Sequence, residues 1–167
     1  MHGAVTHPVL EAVNREMESF SIVRNPYDLV YSWYRYKHQM LRETRHRDPV
    51  ESAAWNKGFE YWLERYIDKI NLTKWGNDQY NPISPCFSQL SYLIDAKGKV
   101  VINHILKLEH LASDWSLIQS ITGTNIDLEK TNQSVITGER EFAYTPRCKQ
   151  LVERYYGEDL EQFKYAF

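Results

Sequence analysis

The chain has 167 residues, a formal net charge of −2, 43% hydrophobic and 25% charged residues. This is the length and make-up of an ordinary globular domain with enough chain to bury a sizeable core. The charge balance gives no case for nucleic-acid binding, no apolar run reaches the ~18 residues of a membrane span, and no signal-peptide pattern opens the sequence.

The aromatic content is high, at 14%, with 12 Tyr and 5 Trp. Such residues suit a sugar-facing groove and serve equally as core material. Cys86 and Cys148 lie far apart and form no metal or redox motif; a single disulfide between them stays open. There are no repeats, no low-complexity segments and no visible domain boundary, so one domain over 1–167 is expected.

In chain order, Pro8 to Met17 reads as a short helix with Val9, Ala12 and Val13 on one face. Phe20 to Val23 is an apolar run of strand length that stops at Arg24. Asn25 suits a helix cap, Pro26 the first helical position, and Asp28 the first turn, where the helix dipole favours a carboxylate. The stretch therefore predicts strand, tight turn, helix. In open α/β sheets such a turn is where anionic ligands bind, at the carboxyl end of a strand. Arg24 stands at that turn, and a guanidinium can make two charge-assisted bonds to a phosphate. Ser32 follows eight residues later, about two helical turns on, or ~10 Å along the axis.

The helix is expected to run to about Thr44, with Tyr27, Val30, Tyr31 and Tyr34 as its buried face. A basic run follows, including Arg35, Lys37, His38, Arg42, Arg45 and Arg47. It reads either as a solvated helix end or as a surface for an anionic acceptor. Asp48-Pro49 breaks the helix. Phe59, Trp62, Leu63, Tyr66, Ile67 and Ile70 then mark a second amphipathic helix, whose apolar stripe is core packing. Trp75 to Pro85 is a loop rich in Gly, Asn and Pro.

Further on, Gln89 to Ile94 reads as a strand, Asp95 to Gly98 as a turn and Lys99 to Leu106 as a second strand, a possible hairpin. Leu108 to Thr122 is a helix with Leu111, Trp115, Ile118 and Ile121 inward and Gly123 closing it. Ile126 to Phe142 reads as irregular. Thr145-Pro146 caps a helix through Tyr156, and Asp159 opens a short terminal one. The aromatic C-terminus is expected to dock on the core.

The stretch Val23-Arg-Asn-Pro-Tyr-Asp…Ser32 resembles the 3′-phosphate-binding motif of sulfotransferases, which use the sulfate donor PAPS (3′-phosphoadenosine 5′-phosphosulfate). The likeness is greatest to the Golgi-type carbohydrate branch and its bacterial relatives. The segments Gln89…Glu109, Asn132-Gln-Ser134 and Tyr155-Tyr156…Phe167 also resemble that family, so the likeness covers nearly the whole chain. Leu29 departs from it where Arg is frequent.

The resemblance implies an α/β fold of the P-loop-kinase kind, a parallel sheet flanked by helices, with the strand before Glu109 joining that sheet. It implies that Arg24 and Ser32 hold the donor's 3′-phosphate and that His2, in His2-Gly3, is the catalytic base; His7 is a second candidate. Arg140, expected in a loop, is a candidate further phosphate contact. The partners implied are the nucleotide donor and a carbohydrate acceptor, with no metal. The compartment implied is the Golgi lumen in an animal and the cytoplasm in a bacterium.

No Gly- and Lys-containing loop follows an apolar strand ahead of Arg24, so the first strand and 5′-phosphosulfate loop of the family are expected to be missing from this sequence. An inactive, non-catalytic relative that still binds nucleotide or polysaccharide is therefore the alternative to a working transferase. A kinase would need a Walker-type loop and a metal carboxylate, and the sequence has neither.

Overall fold

The structure, a computed structural model, describes residues 18–43, 57–72, 88–128 and 139–167. The elements, in chain order, are strand β1 (Phe20–Val23), helix α1 (Pro26–Glu43), helix α2 (Phe59–Leu72), strand β2 (His104–Lys107), helix α3 (Leu111–Thr122), the short helix α4 (Glu139–Ala143) and helix α5 (Pro146–Phe163). The architecture is mixed α/β, with a small parallel two-stranded sheet. The chain divides into two compact units, Met1–Asn25 with Gln89–Ser134 and Pro26–Ser88 with Val135–Phe167.

The first unit is built on β1 and β2. They run parallel, with Phe20 opposite His104 and Val23 opposite Lys107. The register is pinned where the strands begin. Ser19 donates to Asn103 Oδ1 through both its N–H, at 3.1 Å, and its hydroxyl, at 2.6 Å. The Asn103 N–H donates back to Ser19 Oγ at 3.1 Å, and the His104 N–H to the Ser19 carbonyl at 3.0 Å. A slip of one residue would break all four bonds and turn each side chain to the other face. Beyond the ladder, Leu106 packs with Leu111 and Ile118 of α3, and Trp115 and Leu128 close over them. Gly123 ends α3 at φ +66°, the left-handed region that glycine enters without a Cβ penalty.

The hairpin expected before β2 is reduced to a single antiparallel bridge, Ile94 with Val100. Its first arm is not a strand: Leu90–Tyr92 form one 3₁₀ turn. Its second arm leaves the bridge after Val101, whose N–H donates to the Leu93 carbonyl at 2.9 Å, and becomes β2 at His104. The physical reason is competition for partners, since β1 offers the later residues a longer parallel ladder. The turn itself forms as expected. The Asp95 carboxylate accepts the N–H groups of Lys97 and Lys99, both at 2.9 Å, and Gly98 takes φ +78°.

The second unit is a helical core made largely of rings. Tyr27, Val30 and Tyr31 of α1 pack with Phe59, Trp62, Leu63 and Ile67 of α2. Tyr144 and, from α5, Cys148, Leu151, Val152 and Tyr156 complete the cluster. The Tyr144 ring lies 4.9 Å from Phe59 and 5.5 Å from Tyr27, both edge to face, the arrangement that aromatic quadrupoles favour. The Tyr144 hydroxyl donates to the Tyr27 carbonyl at 2.8 Å in a buried setting. Phe167 sets its edge against Tyr27 and Tyr144, with the Lys149 ammonium 3.5 Å from its centroid, so the aromatic C-terminus does dock.

Thr145 caps α5, accepting the Cys148 N–H, and Pro146 takes the first helical position. The two helices expected at the C-terminus form one run kinked at Tyr156. After the kink, fully buried Asp159 accepts a 2.6 Å bond from the Ser88 hydroxyl.

The irregular stretch expected up to Phe142 is corrected at its end, where Glu139–Ala143 form α4. The expected helix at Pro8–Met17, the break at Asp48-Pro49, the loop at Trp75–Pro85 and the Asn132-Gln-Ser134 segment lie outside the described residues. So do His2, His7, Cys86 and the basic residues Arg45 and Arg47. Among the described residues, no helix is long and apolar enough to cross a membrane.

Candidate active site

Arg24 lies one residue beyond β1, and Glu109 two residues beyond β2, in the 3₁₀ turn Leu108–His110. Both therefore stand at the carboxyl end of the parallel pair, the end at which α/β sheets bind ligands. The strand forms because Phe20-Ser-Ile-Val offers β-favouring residues, and its ladder stops at Val23 opposite Lys107.

Past that point the backbone finds partners in side chains. The Arg24 N–H donates to Gln89 Oε1 at 2.8 Å, and Gln89 Nε2 donates to the Arg24 carbonyl at 2.8 Å. One carboxamide thus replaces the peptide of a neighbouring strand. The next N–H, that of Asn25, donates to Glu109 Oε1 at 2.7 Å, a charge-assisted bond. Val23 and Asn25 are buried on either side, while Arg24 is half-buried. Among the described residues, no carboxylate forms an ion pair with the Arg24 guanidinium.

Ser32 belongs to the second unit. It lies on α1 between buried Tyr31 and half-buried Trp33 and is itself half-buried. Arg140, expected in a loop, has its backbone in α4. That is a correction of its backbone setting, from loop to short helix. His2 lies outside the described residues.

Other chemistry is limited. Cys148 is a free thiol, fully buried, and burial pushes its pKa up. A thiol of that kind is a packing residue and not a nucleophile at neutral pH. Among the described residues, no cluster of His, Cys, Asp or Glu could hold a metal ion.

Sequence reasoning missed Gln89, which it placed within a strand, and gave Glu109 only as the acidic residue after the second strand. Neither bond has a local signal. Gln89 is 65 positions from Arg24, and Glu109 is 84 from Asn25. Only the run of family-like segments pointed toward them.

Comparison with known proteins places the chain. The family model described as "Sulfotransferase family" matches residues 4–166. The match spans nearly all of the sequence, and the chain belongs to the sulfotransferase family. No curated protein and no solved structure matches it.

Proposed function

We propose that this member of the sulfotransferase family binds PAPS and transfers its sulfuryl group to a hydroxyl of a carbohydrate. The fold is read as P-loop-kinase-like, and Arg24 and Ser32 as the pair that holds the donor's 3′-phosphate. The observation that supports this reading is Arg24 at the carboxyl end of β1, its backbone bonded on both sides. Arg24 supplies a fork of two N–H donors to the phosphate oxygens, and Ser32 a hydroxyl. Arg140 is a further contact to the same donor.

In the reaction the acceptor oxygen attacks sulfur, and the bond from sulfur to the 5′-phosphate oxygen breaks. The acceptor's proton passes to a base, for which His2 is the candidate; a neutral imidazole suits that task near pH 7. The protein's share is positioning and charge stabilisation, as in phosphoryl transfer, and no metal is required. Holding the 3′-phosphate anchors the donor away from the bond that breaks.

The test is a titration with PAP, the desulfated donor, against AMP, which lacks the 3′-phosphate. Wild type should prefer PAP. Arg24→Ala should remove ~1.5–3 kcal/mol of that preference, the worth of a hydrogen bond to a charged group, and Ser32→Ala less. Equal binding of PAP and AMP by wild type would overturn the assignment. PAP binding with no sulfation of any carbohydrate would identify the non-catalytic alternative.

A further inference from the structure

Three hydrogen bonds surround the Cα of Arg24, and together they fix both peptide planes that flank it. The plane before Arg24 is held through its N–H, which donates to Gln89 Oε1 at 2.8 Å. The plane after it is held at both edges. Its carbonyl accepts from Gln89 Nε2 at 2.8 Å, and its N–H, that of Asn25, donates to Glu109 Oε1 at 2.7 Å. With both planes fixed, φ and ψ of Arg24 are fixed, and so is the direction of its Cα–Cβ bond.

We propose that Gln89 and Glu109 are positioning residues that aim the Arg24 guanidinium at the donor's 3′-phosphate. The proposal rests on the reading of Arg24 as the phosphate anchor. A guanidinium grips a phosphate through paired bonds whose alignment matters, so a fixed root makes the grip selective. The ladder cannot supply that root, because β1 and β2 stop pairing at Val23 and Lys107.

The choice of Glu at position 109 sharpens the argument. A carboxylate beside an anion site repels the ligand, so its charge opposes phosphate binding. What it contributes is an acceptor for the Asn25 N–H. Glutamine keeps such an acceptor without the charge. Positioning and charge therefore predict opposite outcomes for Glu109→Gln.

The experiment measures the affinity ratio of PAP to AMP, with melting temperature recorded for every variant. Glu109→Ala should lower the ratio about tenfold, the effect of losing one supporting bond of ~1.4 kcal/mol, and Gln89→Ala, which loses two, by at least as much. AMP affinity should stay near wild type. Glu109→Gln should keep the ratio or raise it. Gln89→Glu retains an acceptor for the Arg24 N–H but has no donor for the Arg24 carbonyl, and should fall between wild type and Gln89→Ala; it also serves if Gln89→Ala does not fold.

Wild-type ratios in folded Gln89 and Glu109 variants would overturn the proposal. So would equal losses for PAP and AMP alongside a lower melting temperature, the mark of a purely structural role. Glu109→Gln behaving like Glu109→Ala would also sink it. Failure of the underlying reading looks different: wild type would bind PAP and AMP alike, whatever stands at positions 89 and 109.

Discussion

The two units are held together by different physics. The unit with α1, α2 and α5 is a packed one, in which rings and aliphatic side chains fill a common core. The unit with β1 and β2 has a smaller apolar cluster of Leu106, Leu111 and Ile118. Its strand ends are tied by side chains that bond to backbone: Ser19 with Asn103 at one end, Gln89 and Glu109 at the other. Apolar packing is non-directional and resists any loss of volume. Hydrogen bonds are directional, and their net worth is smaller. The comparison teaches that the first arrangement suits stability, and the second suits fixing the direction of a few groups.

The largest test of that contrast falls in the packed unit. Leu63 is fully buried in the ring cluster. Leu63→Ala should cost about 2–5 kcal/mol, the lost transfer energy plus the cavity left behind. Chemical denaturation measures it. A loss below ~1 kcal/mol would show that the core collapses around the gap, and the contrast would fail.

A smaller effect is expected where the packed unit uses a directional bond of its own. Tyr144→Phe keeps the ring contacts but leaves the Tyr27 carbonyl without the donor 2.8 Å away. The carbonyl keeps its place in the helical hydrogen-bond ladder of α1, so the cost should be about 0.5–1.5 kcal/mol, the net worth of one hydrogen bond. Destabilisation equal to that of Tyr144→Ala would mean that the hydroxyl, and not the ring, is what the core depends on.

The smallest effect lies in the tied unit, at the turn before β2. The Lys99 N–H bond is the largest influence on the Asp95 carboxyl; desolvation opposes it, and the Lys97 N–H bond and both lysine charges add enough to hold the group below its usual pKa. A depressed carboxylate contributes stability that is present above its unfolded pKa and is lost as pH falls through its folded value. The stability gap between wild type and Asp95→Ala should therefore be constant near neutrality and shrink only within the acid carboxylate range. A gap that is already closing at pH ~6, well above the ordinary Asp value of ~3.9, would contradict the two bonds.

Much of the packed unit was legible in advance because its signals are local. Phe59, Trp62, Leu63 and Ile67 recur at helical spacing and are buried on α2. Pro26 opens α1 and Thr145-Pro146 starts α5; in the other unit, Gly123 closes α3 by an equally local signal. The strand Phe20–Val23 was legible for the same reason, whereas the place of the strand before Glu109 in a parallel sheet came from the family resemblance. The first arm of the hairpin was misread because Gln89-Leu-Ser-Tyr-Leu-Ile alternates like a strand. Its residues instead make a 3₁₀ turn, with the Gln89 side chain spent on Arg24.

The sequence by itself determined the long helices α1, α2, α3 and α5, the β1–α1 turn with Arg24 at it, and the family. Periodicity, caps and a motif of near neighbours are written in consecutive residues, so they survive without knowledge of the fold. Only the tertiary structure decided which strand pairs with β1, that the Ser88 hydroxyl meets buried Asp159, and that Gln89 and Glu109 bond the backbone around Arg24. Each of these joins groups 65 to 84 positions apart. A hydrogen bond over that distance leaves no mark on the residues beside it, and exists only once packing has brought the two segments within ~3 Å.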